Sequence, residues 1–502
     1  MTRPPAASSR RRWTVIVAAA ATLLGGAGAL AASAVDEGPA APGGPAAVAA
    51  AAVTYTVAPG TGTGRTFYVA TTGSDDDPGT SEKPFRTIAR ATGLDGLRGG
   101  DTIVVREGVY PEKVSLTASG SAEQGHITLR GEGAVVRDPN PEGPDEFGIG
   151  AIAAKGVSHW LIDGFTVEDA QWAAIMLMGT SDMVVANNTT VRSGASGIIA
   201  MPLNHFDGGE KEVQSHRITV VGNVIKKAND RHIGKAKGES GSQEALSVWG
   251  VDGFEVAGNT IEDGKKEGID CKTGCRNGRI HHNTIRGTAS VEGLPEGFQG
   301  GAAIYVDGHR SIVKNVDIDS NLVENNVADG IALAVEVPGQ GQSDLVDVTV
   351  RNNIVSTNGR QGINGGHGLV IGENITGVTA YGNTFYKNVQ GVVVEKSYGG
   401  YASKGLVIRN NLIAASTYRD AVVGGVAELT LKDNVFSPAT SKGFERDGAT
   451  IPSLTETGTT KVADPGFVKA PTDLHLKAGS KAAGAGARGA VGSPGTRAVR
   501  AR

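Results

Sequence analysis

The sequence has two cysteines, few aromatic residues (5%) and almost no net charge, -4 at neutral pH. Each shortage removes a class of protein. Two thiols, Cys271 and Cys275, can at most form one small local disulfide in an oxidising compartment, and they do not make a structural zinc site. The missing basic excess leaves no electrostatic footprint for nucleic acid. Beyond residue 34 no apolar run is long enough to span a membrane. The glycine-rich stretches, such as Gly362 to Gly368, lack the context of a phosphate loop, so no nucleotide site is expected.

What is plentiful points one way. There are 74 glycines, roughly twice the usual share, together with many Asn, Val and Ile. That mixture suits short strands joined by tight corners.

The first residues are a targeting segment. Arg10, Arg11 and Arg12 precede an apolar stretch from Trp13 to about Leu30, and Ala32-Ser33-Ala34 offers a small-residue cleavage site before Val35. This order predicts a secretory signal peptide over 1–34 and a secreted, extracellular protein. Ser9-Arg10-Arg11 with Trp13 also resembles a twin-arginine signal, so the export route stays open. Residues 35–64, rich in Ala, Pro, Gly and Thr, are expected to be a flexible linker. A β-domain is expected over 65–485, and residues 486–502 as a disordered tail.

The body repeats. Asn188, Asn223, Asn259, Asn283, Asn321, Asn353, Asn383, Asn411 and Asn434 each open an alternating apolar strand, at intervals of 23 to 38 residues. Periods of this size with strand-type patterning predict stacked coils, not one closed sheet. A second short strand follows a glycine in each unit, as in Gly268-Ile269, Gly330-Ile331 and Gly368-Leu369. Asn fits the tight corner because it tolerates left-handed backbone angles, and stacked Asn side chains could form a ladder. The prediction is an all-β chain: a single-stranded right-handed parallel β-helix, a solenoid with a short N-terminal capping helix over about Ser81 to Leu97.

Phe67-Tyr68-Val69-Ala70, Gly73-Ser74-Asp75-Asp76-Asp77-Pro78-Gly79-Thr80, Pro84-Phe85-Arg86-Thr87-Ile88 and Gly100-Asp101-Thr102-Ile103-Val104-Val105 form an opening segment. It resembles the N-terminal cap of secreted bacterial β-helix proteins of the pectate-lyase-like superfamily. Asp464-Pro465-Gly466-Phe467 and Leu474-His475-Leu476 resemble their closing segment. The resemblance implies this fold and says less about activity, because one fold hosts many chemistries.

Alternation along the second strand places candidate residues on one outward face. With Leu246, Val248, Ile269, Cys271, Ile304 and Val306 inward, Ser247, Trp249, Asp270, Lys272, Tyr305 and Asp307 point out. Glu336 ends the next coil's strand, after the small Ala332 and Ala334. Asp270 and Asp307 are expected about one rung, ~4.8 Å, apart. Titratable groups this close perturb one another's pKa, as acid/base chemistry requires. Asp270, Lys272, Tyr305, Asp307 and Glu336 are therefore the candidate catalytic groups. Trp249, Ser247, Glu244, His309 and Arg310 are the candidate sugar-binding groups on a polysaccharide substrate. A plain salt-bridged ladder on an inert solenoid is the structural alternative.

Two catalytic readings follow. In β-elimination from a uronic acid polymer, Lys272 would be the base; Gly268-Ile269-Asp270-Cys271-Lys272 is similar to the base-carrying strand of the ninth family of polysaccharide lyases. A Ca²⁺ belongs to this reading alone, and the family's bunch of Asp on adjoining turns has no counterpart. In hydrolysis, Asp307 would be nucleophile and Glu336 the acid, with Asp270 in reserve, an arrangement that resembles β-helix glycosidases. A C5-epimerase would use similar groups, and a non-catalytic carbohydrate- or surface-binding solenoid is the alternative of a different class. The chain is expected to act as a monomer without nucleic acid or, once processed, membrane. His281 and His282 are read as corner residues and His367 as a loop or groove residue. His232, Lys235 and Lys237 are read as a charged loop that could wall the groove.

Overall fold

A computed structural model describes residues 53–55, 57, 64–141, 148–230, 244–289, 301–335, 344–359, 365–397, 400–448, 450–488 and 500–501. Glu336, His232, Lys235, Lys237 and the signal segment lie outside them.

The described chain winds as a right-handed parallel β-helix, each coil giving one strand to each of three faces. One face has twelve parallel strands, from Val114–Leu116 to Phe444–Arg446. A second carries longer strands such as Val251–Ala257, Arg276–His281 and Val313–Asp319. The third carries three-residue strands such as Thr260–Glu262, Thr284–Arg286 and Leu322–Glu324. Among the described residues inward positions are almost all apolar, Thr190 being an exception, so Ile, Val and Leu from all three faces meet in one continuous core. Burying such aliphatic side chains contributes roughly 1.5–3 kcal/mol each.

The repeating Asn residues stack at the corner between the second and third faces. Asn223 N–H and Nδ2 both donate to Asn259 Oδ1, at 2.9 and 3.0 Å, while Nδ2 also reaches the Val185 carbonyl at 2.9 Å. The pattern runs unbroken to Asn434. The left-handed turn itself is made one residue earlier than expected, by Gly258, His282, Ser320, Asn352 or Gly382, with φ between 52° and 64°. The corner thus separates two tasks. The residue before absorbs the backbone bend, and the buried Asn closes the hydrogen bonds that the bend opens.

A second stack, Thr288, Asn326, Asn358 and Asn388, holds the next corner and delivers the chain into the twelve-stranded face. It fixes where that face's strands begin.

The capping helix is shorter than predicted. It runs only Ile88–Thr92, capped by Thr87, because Pro84 precedes it and Gly93 ends it. Ile88, Ala91 and Phe85 still plug the first coil. Both regions expected to be unstructured contribute contacts. Val53 and Tyr55 pack on Leu161, Val184, Val221 and Ala257, and Thr54–Tyr55 pairs in parallel with Arg500–Ala501. Ala487 is buried beside Leu412 and Leu474, and its N–H donates to Thr384 Oγ1 at 2.9 Å. In both regions a few apolar side chains suffice to dock the strip on the solenoid's flank. Cys271 and Cys275 are joined by a disulfide under the twelve-stranded face. Among the described residues, no helix is long and apolar enough to cross a membrane.

Candidate functional site

The site lies on the outward side of the twelve-stranded face, across Leu246–Trp249, Ile269–Lys272, Ala302–Asp307 and Asp329–Ala334. Leu246, Val248, Ile269, Cys271, Ile304 and Val306 point into the core, which fixes their neighbours outward. Parallel pairing aligns Ser247, Asp270, Tyr305 and Ala332 in one column, and Trp249, Lys272, Asp307 and Ala334 in the next. Asp270 and Asp307 therefore stand on adjoining coils but in different columns. The expected direct rung between them is replaced by Asp270 opposite Tyr305 and Lys272 opposite Asp307.

The outward side chains are much less exposed than a solvent-facing ladder would be. Asp270 and Asp307 are fully buried and Lys272 is 9% exposed. Lys272 Nζ lies 3.0 Å from Glu244 Oε1 and 2.8 Å from Asp270 Oδ2, and 4.7 Å from the centre of the Trp249 ring. Trp249 Nε1 donates to Asp270 Oδ2 at 3.1 Å, and Ser247 Oγ donates to Glu244 Oε2 at 2.9 Å. One ammonium is thus gripped by two carboxyl groups and an aromatic face.

This arrangement pushes the acids apart. Burial works to raise the Glu244 carboxyl, but Lys272 and Lys266 outweigh it and hold Glu244 well below the usual carboxylate range. Burial raises Asp270 well above that range, and the Glu244 and Glu267 charges add to it against Lys272. Burial likewise raises Glu267, with Lys266 opposing and Glu244 reinforcing. Asp270 Oδ1 is buried without a hydrogen-bond partner among the described residues. It is the oxygen on which a proton fits.

Of the residues singled out in the sequence, Glu244, Ser247, Trp249, Asp270 and Lys272 form one bonded cluster. Tyr305 and Asp307 sit on the coil beside it, and half-buried His309 and Arg310 follow Asp307. Sequence reasoning missed three contributors. Glu267, two residues before the Ile269–Lys272 strand, is buried close enough to Glu244 and Lys272 to feel their charges. His205 arrives from a distant loop and lays its ring 5.2 Å from Trp249; burial, then Arg310, lowers its pKa to about 4. Asp329 meets His367 farther along the face. Among the described residues, no group of three or more His, Cys, Asp or Glu is arranged to hold a metal ion.

Comparison with known proteins bears on the fold. The family described as "Right handed beta helix region" matches residues 150–339. An uncharacterised Bacillus subtilis (strain 168) protein, YwoF, is 29% identical over 385 residues, spanning 71% of this chain and 76% of that protein. The A-module of the Azotobacter vinelandii mannuronan C-5 epimerase AlgE6 superposes with a TM-score of 0.52 at 13% identity, covering 74% of this chain and 92% of the module. Pectate lyase Pel9A gives a TM-score of 0.43 at 14% identity, over 88% and 98% of the two chains. At 13% identity the likeness to the AlgE6 module speaks for the coil architecture alone, and the chemistry has to be argued from the side chains.

Proposed function

We propose that this right-handed parallel β-helix, which shares its fold with the pectate-lyase-like superfamily, is a carbohydrate-active enzyme that hydrolyses an extracellular polysaccharide. One observation carries the reading: two neighbouring buried carboxyls share the Lys272 ammonium but are split by their surroundings, Glu244 taking a further hydrogen bond from Ser247 Oγ while Asp270 Oδ1 is left without a partner among the described residues, and their pKa directions follow. Such a split assigns roles, one group kept protonated to donate and its neighbour kept ionised. Substrate has first to uncover Asp270 Oδ1, which is buried in the free chain; Asp270 then gives its proton to the glycosidic oxygen as the carbon–oxygen bond breaks. Water adds its hydroxyl to the anomeric carbon, and Asp307, on the adjoining coil, takes the water's second proton. Glu244 and Lys272 set the proton on Asp270, and Trp249 orients it through Nε1. These are positioning roles.

The same geometry weighs against Lys272 as the base of an elimination. A base must be neutral before it can accept a proton. The Lys272 ammonium is held by the Glu244 carboxylate at 3.0 Å, by Asp270 Oδ2 at 2.8 Å and by the Trp249 ring. Removing its proton means giving up all three contacts.

The test is a screen of the purified protein against neutral and acidic polysaccharides, reading reducing ends and ultraviolet absorbance together. Hydrolysis predicts new reducing ends without the absorbance of an unsaturated uronate. Absorbance rising in step with reducing ends would replace this reading with elimination. Binding without either signal would make the solenoid a carbohydrate-binding protein.

A further inference from the structure

Beyond the Asp307 coil the outward face changes character. Ala302, Ala332, Val370, Val393 and Val422 form an apolar strip that Tyr305 packs against. One edge of the strip is a column of polar residues at the strand starts, Asp329, His367, Gln390 and Arg419, aligned coil by coil. Asp329 Oδ1 accepts the His367 backbone N–H at 2.9 Å and stands 2.9 Å from the ring's Nδ1. Gln390 Nε2 lies 3.0 Å from His367 Nε2. On the opposite edge Glu395 leans back across the face, with Oε2 3.6 Å from where a side chain on Gly372 would begin. Burial works against charge on His367, but Asp329 outweighs it and raises the imidazole; burial raises Glu395. His367 and Asp329 keep 14% and 21% of their side-chain surface, so a ligand can reach them.

We propose that Asp329, His367, Gln390 and Glu395 line a distal subsite that binds an uncharged sugar unit of the chain cleaved at Asp270. The strip of Ala332, Val370 and Val393 supplies an apolar floor for the C–H face of a pyranose. The rim supplies what hydroxyl groups need: carboxylate acceptors on both sides, and a donor from the Gln390 amide, which keeps one N–H beyond its contact with His367 Nε2. A uronate unit seated between Asp329 and Glu395 would set its carboxylate beside theirs, and like charges repel, whereas Arg419 stands one coil beyond Gln390. The His367 strand lies three coils from the Asp270 strand, about 14 Å along the solenoid axis. The subsite therefore acts only on chains long enough to extend from the cleavage point. This inference rests on the reading that this face holds a sugar chain.

The test uses the full chain labelled with ¹³C at histidine Cε1, with His367→Ala identifying the His367 resonance. Xylohexaose, cellohexaose and mannohexaose are titrated in turn, as are their disaccharides and hexagalacturonate. Reducing ends are measured in the same samples. At least one neutral hexasaccharide is expected to shift the His367 signal, its disaccharide is not, and Gln390→Ala is expected to weaken that binding by about tenfold. A response to hexagalacturonate, or to none of the neutral hexasaccharides, overturns the subsite. Cleavage of a neutral hexasaccharide without a shift also overturns it. A shift without cleavage upholds the subsite and refutes hydrolysis.

Discussion

Lys272→Met removes the cation that bridges two buried carboxyl groups, and the size of the loss can be worked out. The side chains of Lys272, Glu244 and Asp270 are 11%, 4% and 0% exposed, so water does little to screen them. Deleting one partner of such a cluster costs about 3–5 kcal/mol. The cheapest response left to the variant is to protonate Glu244. From an ordinary Glu value near 4.3, that costs about 3.7 kcal/mol at pH 7 and about 1 kcal/mol at pH 5. The sign follows from linkage. Glu244 is depressed in the folded wild type, so its stabilisation is present above its unfolded pKa and is lost only as pH falls below it. Between pH 5 and 7 the wild type keeps this contribution while the variant does not. The deficit of Lys272→Met should thus be about 4 kcal/mol at pH 7 and shrink severalfold by pH 5. Urea unfolding followed by tryptophan fluorescence at both pH values measures it. The triple variant Lys272→Met, Glu244→Gln, Asp270→Asn should regain most of the loss, because no uncompensated charge remains. A Lys272→Met protein as stable as wild type at pH 7, or a deficit independent of pH, would refute the buried-cluster account.

Asp270→Asn should lower hydrolysis by about 10²–10⁴-fold while polymer binding survives, since only proton donation is lost; parallel turnover and affinity measurements decide this. The rate should fall as pH rises through the raised pKa of Asp270, and Glu244→Gln should move that fall to lower pH by removing a charge that raises it. A pH–rate profile still climbing past neutral would contradict the assignment. Asn283→Ala removes the acceptor of both Asn259 N–H and Nδ2 and the donor to the Val256 carbonyl, all buried. At about 1–3 kcal/mol for each group left unsatisfied, it should destabilise the solenoid by several kcal/mol, and a change below about 1 kcal/mol in chemical denaturation would show that the ladder is dispensable. Export predicts a mature chain beginning near Val35, after Ala32-Ser33-Ala34. N-terminal sequencing of protein from culture supernatant checks this, and an intact Met1 end confined to the cytosol would count against it.

The architecture was legible in the sequence because it is written in local, repeated signals. Alternating apolar residues name the inward side of each strand, and a periodic Asn names the corner, so neither needs distant information. Even the second Asn stack was readable, since Asn326, Asn358 and Asn388 each follow a first-stack Asn by the same short step. Alternation also sufficed to place Ser247, Trp249, Asp270, Lys272, Tyr305 and Asp307 on one outward face.

Register, burial and protonation were decided only by the tertiary structure. The pairing that sets Asp270 against Tyr305 and Lys272 against Asp307 depends on where each strand starts, which the corners and the loops of unequal length determine. The burial that raises Asp270, and the arrival of His205, come from contacts that sequence distance from Lys272 does not signal. The meeting of Asp329 with His367 is of the same kind: 38 residues apart in the chain, they are neighbours only because one coil stacks on the next. A sequence lists which acids and bases face outward. Only stacking decides which of them share a proton, because that depends on separations of a few ångströms and on the water the fold excludes.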